Sequence, residues 1–376
     1  MKNIIILPVL LFFAVCCAKA EQEDSPQTEY EIPRLDKREV ARILSALPIG
    51  NEQLQEVHDA VDASSGNGYD EEYTMKDLFE SPGSGVGDDH AKSSSGKYGT
   101  PMRDLFEDYF ARNATTKASS AAQACLQALK ESDLQIYWPY SEDWDGETFP
   151  LVTFDPGYGA ESNYAYEIRM GEEGPEVVDS VFVDENVARK RPVWVVNSNT
   201  DSAFSPLDLL RRDVPATKSK SRMLMLKSLT MLRNYDSWFA GASEFNIQCG
   251  SVEGFKAKTE SELSMYYPTI TNFTIVVKRK QLNKELPLDI VLMTDFTSQL
   301  DKLAFLVTED DGGTSTSWKC SAVVKVASKS YGFEVELPFN DKDDIVWRGQ
   351  LSAGFFQEED VVTGRFGDVR ISFELL

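Results

Sequence analysis

Histidine is almost missing from this chain: His58 and His90 are the only two in 376 residues. A Ser-His-Asp or Cys-His catalytic site would have to recruit one of them. His58 falls on a helical pattern and His90 in a Gly/Ser-rich stretch. Cysteine is scarce too. Of five, only Cys125, Cys249 and Cys320 lie beyond the first twenty residues. They are odd in number, far apart and without metal-ligand spacing, which excludes a disulfide scaffold and a thiolate zinc site. Cys249 with Cys320 is the one pairing left open; otherwise all three read as small buried hydrophobes. Basic charge is deficient, with 38 Lys and Arg against 61 Asp and Glu and a net charge of −23. Such a surface repels phosphate backbones, so nucleic acid is excluded as a partner. No P-loop, dinucleotide fingerprint or zinc-protease helix is present. Gly241-Ala242-Ser243-Glu244 lacks the second glycine of a nucleophile elbow.

Long apolar runs are missing after the start of the chain, so no spanning helix is expected. The start itself is informative. Met1-Lys2-Asn3 is a short basic opening, and Ile4 to Val15 is an apolar run too short to span a bilayer but of signal-peptide length. Two exits compete over residues 1–20. Ala18-Lys19-Ala20 before Glu21 fits a small-x-small cleavage site. Cys16-Cys17 fits a lipoprotein signal, with Cys17 as the lipidated residue and acyl chains as the membrane anchor. Residues 21–35 are acidic and polar and read as a tether.

Helical periodicity follows over 36–132. Asp36 can cap a helix carrying Val40, Ile43, Leu44 and Leu47 on one stripe. Asn51 can cap a second, with Leu54, Val57 and Val61 aligned. Residues 81–100 form a Gly/Ser-rich loop, and further stripes run through Met102, Leu105 and Phe106 and through Ala122, Cys125, Leu126 and Leu129. From Leu134 the period changes to two. Short strands are expected at 134–138, 149–154, 164–170, 177–183, 192–196 and 244–249, and a strand is preferred over a helix at 223–232. Together these make a β-rich region over 133–260. Residues 261–376 alternate most clearly, and about seven strands there have the count and size of an antiparallel β-sandwich. The expected fold class is therefore α+β, mainly β: a short helical region, then two β-rich regions.

Strand parity supplies the metal hypothesis. If successive strands run antiparallel from Lys302, the turns after the first and third emerge at one end. Those turns hold Glu309, Asp310 and Asp311, then Asp341, Asp343 and Asp344. Six carboxylates at one pole repel unless water or a cation screens them. Calcium takes six to eight hard oxygens in a flexible shell, and Gly312-Gly313 would let backbone carbonyls turn inward. The spacing is not that of an EF-hand loop, and acidic turns are commonly just solvated. Aromatics offer a second class of site. All six tryptophans lie in the β-type stretches, and Trp144 and Trp238, in loops, are the candidates for stacking on a sugar ring. A third class, a glycoside hydrolase with paired carboxylates, finds many acids and nothing that selects a pair.

With the leader, Cys17 and the acids Glu21, Glu23 and Asp24 after it, this layout resembles secreted or lipid-anchored envelope proteins of Bacteroides-type bacteria. The resemblance implies export to the outer membrane, cell surface or periplasm, and no particular reaction. The sequence thus favours a non-enzymatic envelope protein with a binding or structural role, with calcium at the acidic turns as its expected stabiliser. A glycan-binding component of carbohydrate uptake stands second, and a hydrolase third.

Overall fold

The computed structural model describes residues 35–80, 97–113, 119–171, 174–199 and 222–376. The leader, Cys17, the tether up to residue 34 and most of the 81–100 loop lie outside these. In chain order the elements are α1 (Lys37–Ala46), α2 (Asn51–Gly66), β1 (Glu72–Thr74), α3 (Met75–Phe79), α4 (Met102–Asn113), α5 (Ser119–Lys130), β2 (Leu134–Tyr137), β3 (Leu151–Phe154), β4 (Ser162–Gly171), β5 (Gly174–Asp184), α6 (Glu185–Ala188) and β6 (Val193–Ser198). After them come β7 (Arg222–Met231), β8 (Ser243–Ser251), β9 (Thr269–Val277), β10 (Leu286–Phe296), β11 (Leu300–Glu309), β12 (Ser315–Val326), β13 (Lys329–Asn340), β14 (Asp344–Ser352), β15 (Val361–Phe366) and β16 (Val369–Leu375). No described helix is long and apolar enough to cross a membrane.

The first sheet has six strands in the order β1-β2-β6-β3-β4-β5, with only β3 and β6 parallel. Asp36 caps α1, its Oδ1 accepting the Glu39 N–H at 2.7 Å. The stripe Val40, Ile43, Leu44 and Leu47 then packs on one face of this sheet, together with Leu54, Val57, Met102 and Phe106. Period two decides the rest. Trp194 and Val196 of β6 point to the helices, whereas Val193 and Val195 point to the opposite face. There they meet Trp238 and Phe239 from the segment between β7 and β8. Each such large apolar side chain contributes about 1.5–3 kcal/mol when fully buried, so this segment is anchored firmly to the sheet.

The remaining strands form two further sheets. One runs β10-β7-β16-β15; the other runs β13-β12-β11-β8-β9, with β14 also paired to β11. All pairings in both are antiparallel. A continuous core joins them through Leu226, Leu229, Ile247, Phe305, Phe356 and Phe373.

The expected β-sandwich over 261–376 does not form. None of the three sheets closes or curls into such a unit. The strands of 261–376 are divided between two sheets, and each sheet takes an inner strand from upstream: β7 lies between β10 and β16, and β8 between β11 and β9. Alternation reports that a strand has an apolar face and says nothing about its neighbours. The fold is α+β with three separate sheets. The three described cysteines are free thiols, so Cys249 and Cys320 are not paired.

Candidate metal centre

Three carboxylates converge at the end of β11. The side chains of Asp236, Glu309 and Asp311 each offer an oxygen, and these oxygens lie within 4.8 Å of one another. Such a group could hold a metal ion. Glu309 is the last residue of β11, with β8 paired on one side and β14 on the other. Its exposure is 0%, and neither carboxylate oxygen takes a hydrogen bond from an N–H or hydroxyl donor. Burial, followed by the Asp236 carboxylate beside it, holds its pKa far above the usual carboxylate range. Asp311 stands two residues further on, exposed at the rim. Its carboxyl is pushed up to about 6, first by desolvation and then by Asp236 and Asp344.

Asp236 comes from the segment joining β7 to β8, and the fold fixes that segment from both sides. Arg279, nearly buried just after β9, donates from Nη2 to the Asp236 carbonyl at 2.6 Å and from Nε to the Gly241 carbonyl at 3.4 Å. Asn197 at the end of β6 donates to the Ala240 carbonyl at 2.6 Å. Asp70 accepts the Ala242 N–H at 2.9 Å, and Trp238 donates from its indole to the Glu161 carbonyl at 3.0 Å. Gly241 has φ +136°, and a Cβ there would come within 2.8 Å of the Asp70 carboxylate. Only glycine meets both demands.

The two acidic turns lie against each other. The Asp311 N–H donates to Asp343 Oδ1 at 3.3 Å, and Asn340 Nδ2 donates to Asp310 Oδ1 at 3.3 Å. Their acids divide by role. Glu309 and Asp311 enter the carboxylate cluster. Asp310 accepts the Gly312 N–H at 2.9 Å, Asp341 the Thr314 N–H at 2.8 Å, and Asp343 the Asn340 N–H at 2.7 Å. These three acids shape the turns. Asp344 opens β14 opposite Glu309 in the ladder and is not part of the cluster. Gly312 and Gly313 both have positive φ, and Gly313 packs so closely on Asp341 that no side chain fits.

Beside the cluster opens a cleft of about 480 Å³, whose lining includes Asp236, Asp311, Asp155, Asn197 and Ser198. Lys37 reaches into it and is paired with Asp155 at 2.5 Å. The tryptophan candidates lie elsewhere. Trp238 is fully buried, its ring 3.9 Å from that of Phe239, so no face is free to stack on a sugar. Trp144 is half-buried between Trp138 and His58, with its indole N–H donating to the Thr148 carbonyl. Both loops fold back onto apolar cores, and the rings follow.

Sequence reasoning missed Asp236. It lies far upstream of the acidic turns, in a segment with no distinguishing spacing, and only the tertiary clamp by Arg279, Asn197 and Asp70 brings it to Glu309. Comparison with known proteins finds no matching family model, no matching curated protein and no matching solved structure.

Proposed function

We propose that this chain is a non-enzymatic binding or structural protein of the cell envelope, held in shape by a calcium ion at Asp236, Glu309 and Asp311. One observation carries the ion: a completely buried glutamate that takes no hydrogen bond from any N–H or hydroxyl sits beside two other carboxylates. An ionised carboxylate left bare in a protein interior is destabilised by several kcal/mol. A proton or a cation relieves that penalty, and a cation relieves the mutual repulsion of all three acids at once.

The donor set is oxygen only, which suits a hard cation rather than zinc or copper. Calcium fits better than magnesium because its shell is larger and less strict in geometry. Three carboxylates from two separate segments supply such a shell more readily than a rigid octahedron. The envelope location rests on the basic opening, the apolar run and Cys17 of the leader.

A carboxylate-pair hydrolase would use the same acids, and access separates the two readings. A general acid must reach the substrate. Glu309, the acid most strongly held protonated, has no exposed surface and does not line the cleft.

Calorimetric titration of the full chain with calcium tests the proposal. Saturable heat is expected, with melting raised by about 5 °C or more at a hundredfold excess over Kd. Glu309→Gln and Asp311→Asn should each abolish the heat. A wild-type chain that gives no heat and an unchanged melting temperature removes the ion from the reading.

A further inference from the structure

We propose that the cleft in front of Asp236 and Asp311 binds a neutral polyhydroxylated ligand, a sugar residue, whose hydroxyls complete the shell of the cation. This rests on the ion site argued above and adds the class of its ligand.

Coordination number gives the first reason. Calcium takes six to eight oxygens, and three carboxylates leave several positions open. Glu309 lies behind the cleft and has no exposed surface, while Asp236 and Asp311 line it. The open side of the ion therefore faces the cleft. Water fills such positions by default, and a pair of neighbouring hydroxyls on one ring replaces two waters with a single molecule.

The cleft wall gives the second. Asn197 is buried, and its amide N–H groups are spent on the Phe239 and Ala240 carbonyls. Its Oδ1, also buried, accepts nothing, and Oδ2 of Asp236 takes no hydrogen bond from an N–H or hydroxyl donor. Both residues line the cleft. An unmet buried acceptor is destabilising until a donor arrives. A hydroxyl is a donor and an acceptor together; Asn197 Oδ1 has no exposed surface, so a small shift of that side chain toward the cleft would let one sugar hydroxyl serve it while another binds the ion.

Charge and shape exclude the other classes. Asp155, Asp236, Glu244, Asp310 and Asp311 all line the cleft, and its one lysine, Lys37, is already paired. An anionic ligand would be repelled. No aromatic or large aliphatic side chain lines it, so a lipid or a flat aromatic ligand finds no surface. The volume of about 480 Å³ lies in the range of small-ligand sites and has room for one or two sugar rings. An organic cation is the remaining competitor, but it would contend with the metal for the same carboxylates.

The test uses the full chain with D-mannose, D-galactose, L-fucose and N-acetylglucosamine as probes, followed by saturation-transfer NMR in saturating calcium and again in EDTA. At least one sugar should bind saturably, weakening by about tenfold or more when calcium is removed. Ser198→Ala and Asn197→Ala should each reduce sugar binding, every variant being paired with its own calcium titration and melting curve. Calcium heat without binding of any of the four sugars overturns the ligand class and leaves the ion site standing. Absence of calcium heat removes the ion site itself. Sugar binding indifferent to EDTA, or to both cleft variants, overturns the coordination or its location. Spermidine that binds in competition with calcium, while the sugars do not, identifies an organic-cation cleft instead.

Discussion

Two buried glutamates carry opposite lessons at the residue scale. Glu309 faces only the Asp236 and Asp311 carboxylates and takes no hydrogen bond from an N–H or hydroxyl, so Glu309→Gln removes the cost of holding a buried carboxyl protonated at neutral pH. In EDTA at neutral pH this variant should melt higher than the wild-type chain, and in calcium it should melt lower; thermal melts in both buffers check the crossover. A purely structural glutamate would give the same sign in each. Glu71 is nearly buried, and its carboxyl is pushed up to about 9 by desolvation and by the adjacent Glu142 and Asp70 carboxylates, with Lys278 opposing. Its folded pKa is raised above the unfolded value near 4.5. The folded state therefore holds a proton that the unfolded state releases, and stability falls as pH rises from about 4.5 to about 9. Glu71→Gln should flatten that decline by on the order of a few kcal/mol. Denaturant titrations of both chains at pH 5, 7 and 9, with calcium saturating, isolate the effect. Parallel curves would mean that Glu71 is ionised in the folded protein.

Elements differed in how plainly the sequence announced them. The first helix was legible to its cap, because Asp36 and a four-residue apolar stripe both act locally. Strand β7 was ambiguous for a physical reason. It is an inner strand, with Leu224, Met225, Leu226, Ser228, Leu229, Thr230 and Met231 all buried, so period-two contrast is lost. The acidic turns were visible from composition, and which of their acids face the cluster was not. A carboxylate that binds its own turn and one that faces a neighbour's segment look alike in a sequence. The segment carrying Asp236 shows in the sequence only as the loop around Trp238, since its form depends on partners remote in the chain. Gly241→Ala tests that dependence. The added methyl meets both a positive φ and the Asp70 carboxylate, so a loss of about 1–3 kcal/mol is expected. Calcium affinity should fall as well, because Asp236 is displaced. Urea unfolding and calorimetry on one preparation separate the two effects, and unaltered calcium affinity would show that Asp236 holds its place without the turn.

At the scale of the whole molecule, the Asp236 segment is where the helix-covered sheet meets the other two. Trp238 and Phe239 belong to the core of the first sheet, while the carboxylate of Asp236 turns to the end of β11. Arg279 spans the same junction, giving hydrogen bonds to the Asp236 and Gly241 carbonyls and approaching Glu185 at 3.4 Å. A cation drawing Asp236 toward Glu309 would therefore act on the first sheet through a short, well-bonded path. The Ala242 N–H, which donates to Asp70, reports on that path. Calcium should slow its hydrogen exchange in the wild-type chain. Arg279→Met keeps much of the volume but removes the donors, and should destabilise the chain by about 2 kcal/mol or more. In that variant calcium should still protect amides near Asp311 while protection at Ala242 largely disappears. Equal protection at both places would mean that the ion's influence reaches the first sheet by another route, since linkage between two sites requires an element that both of them bias.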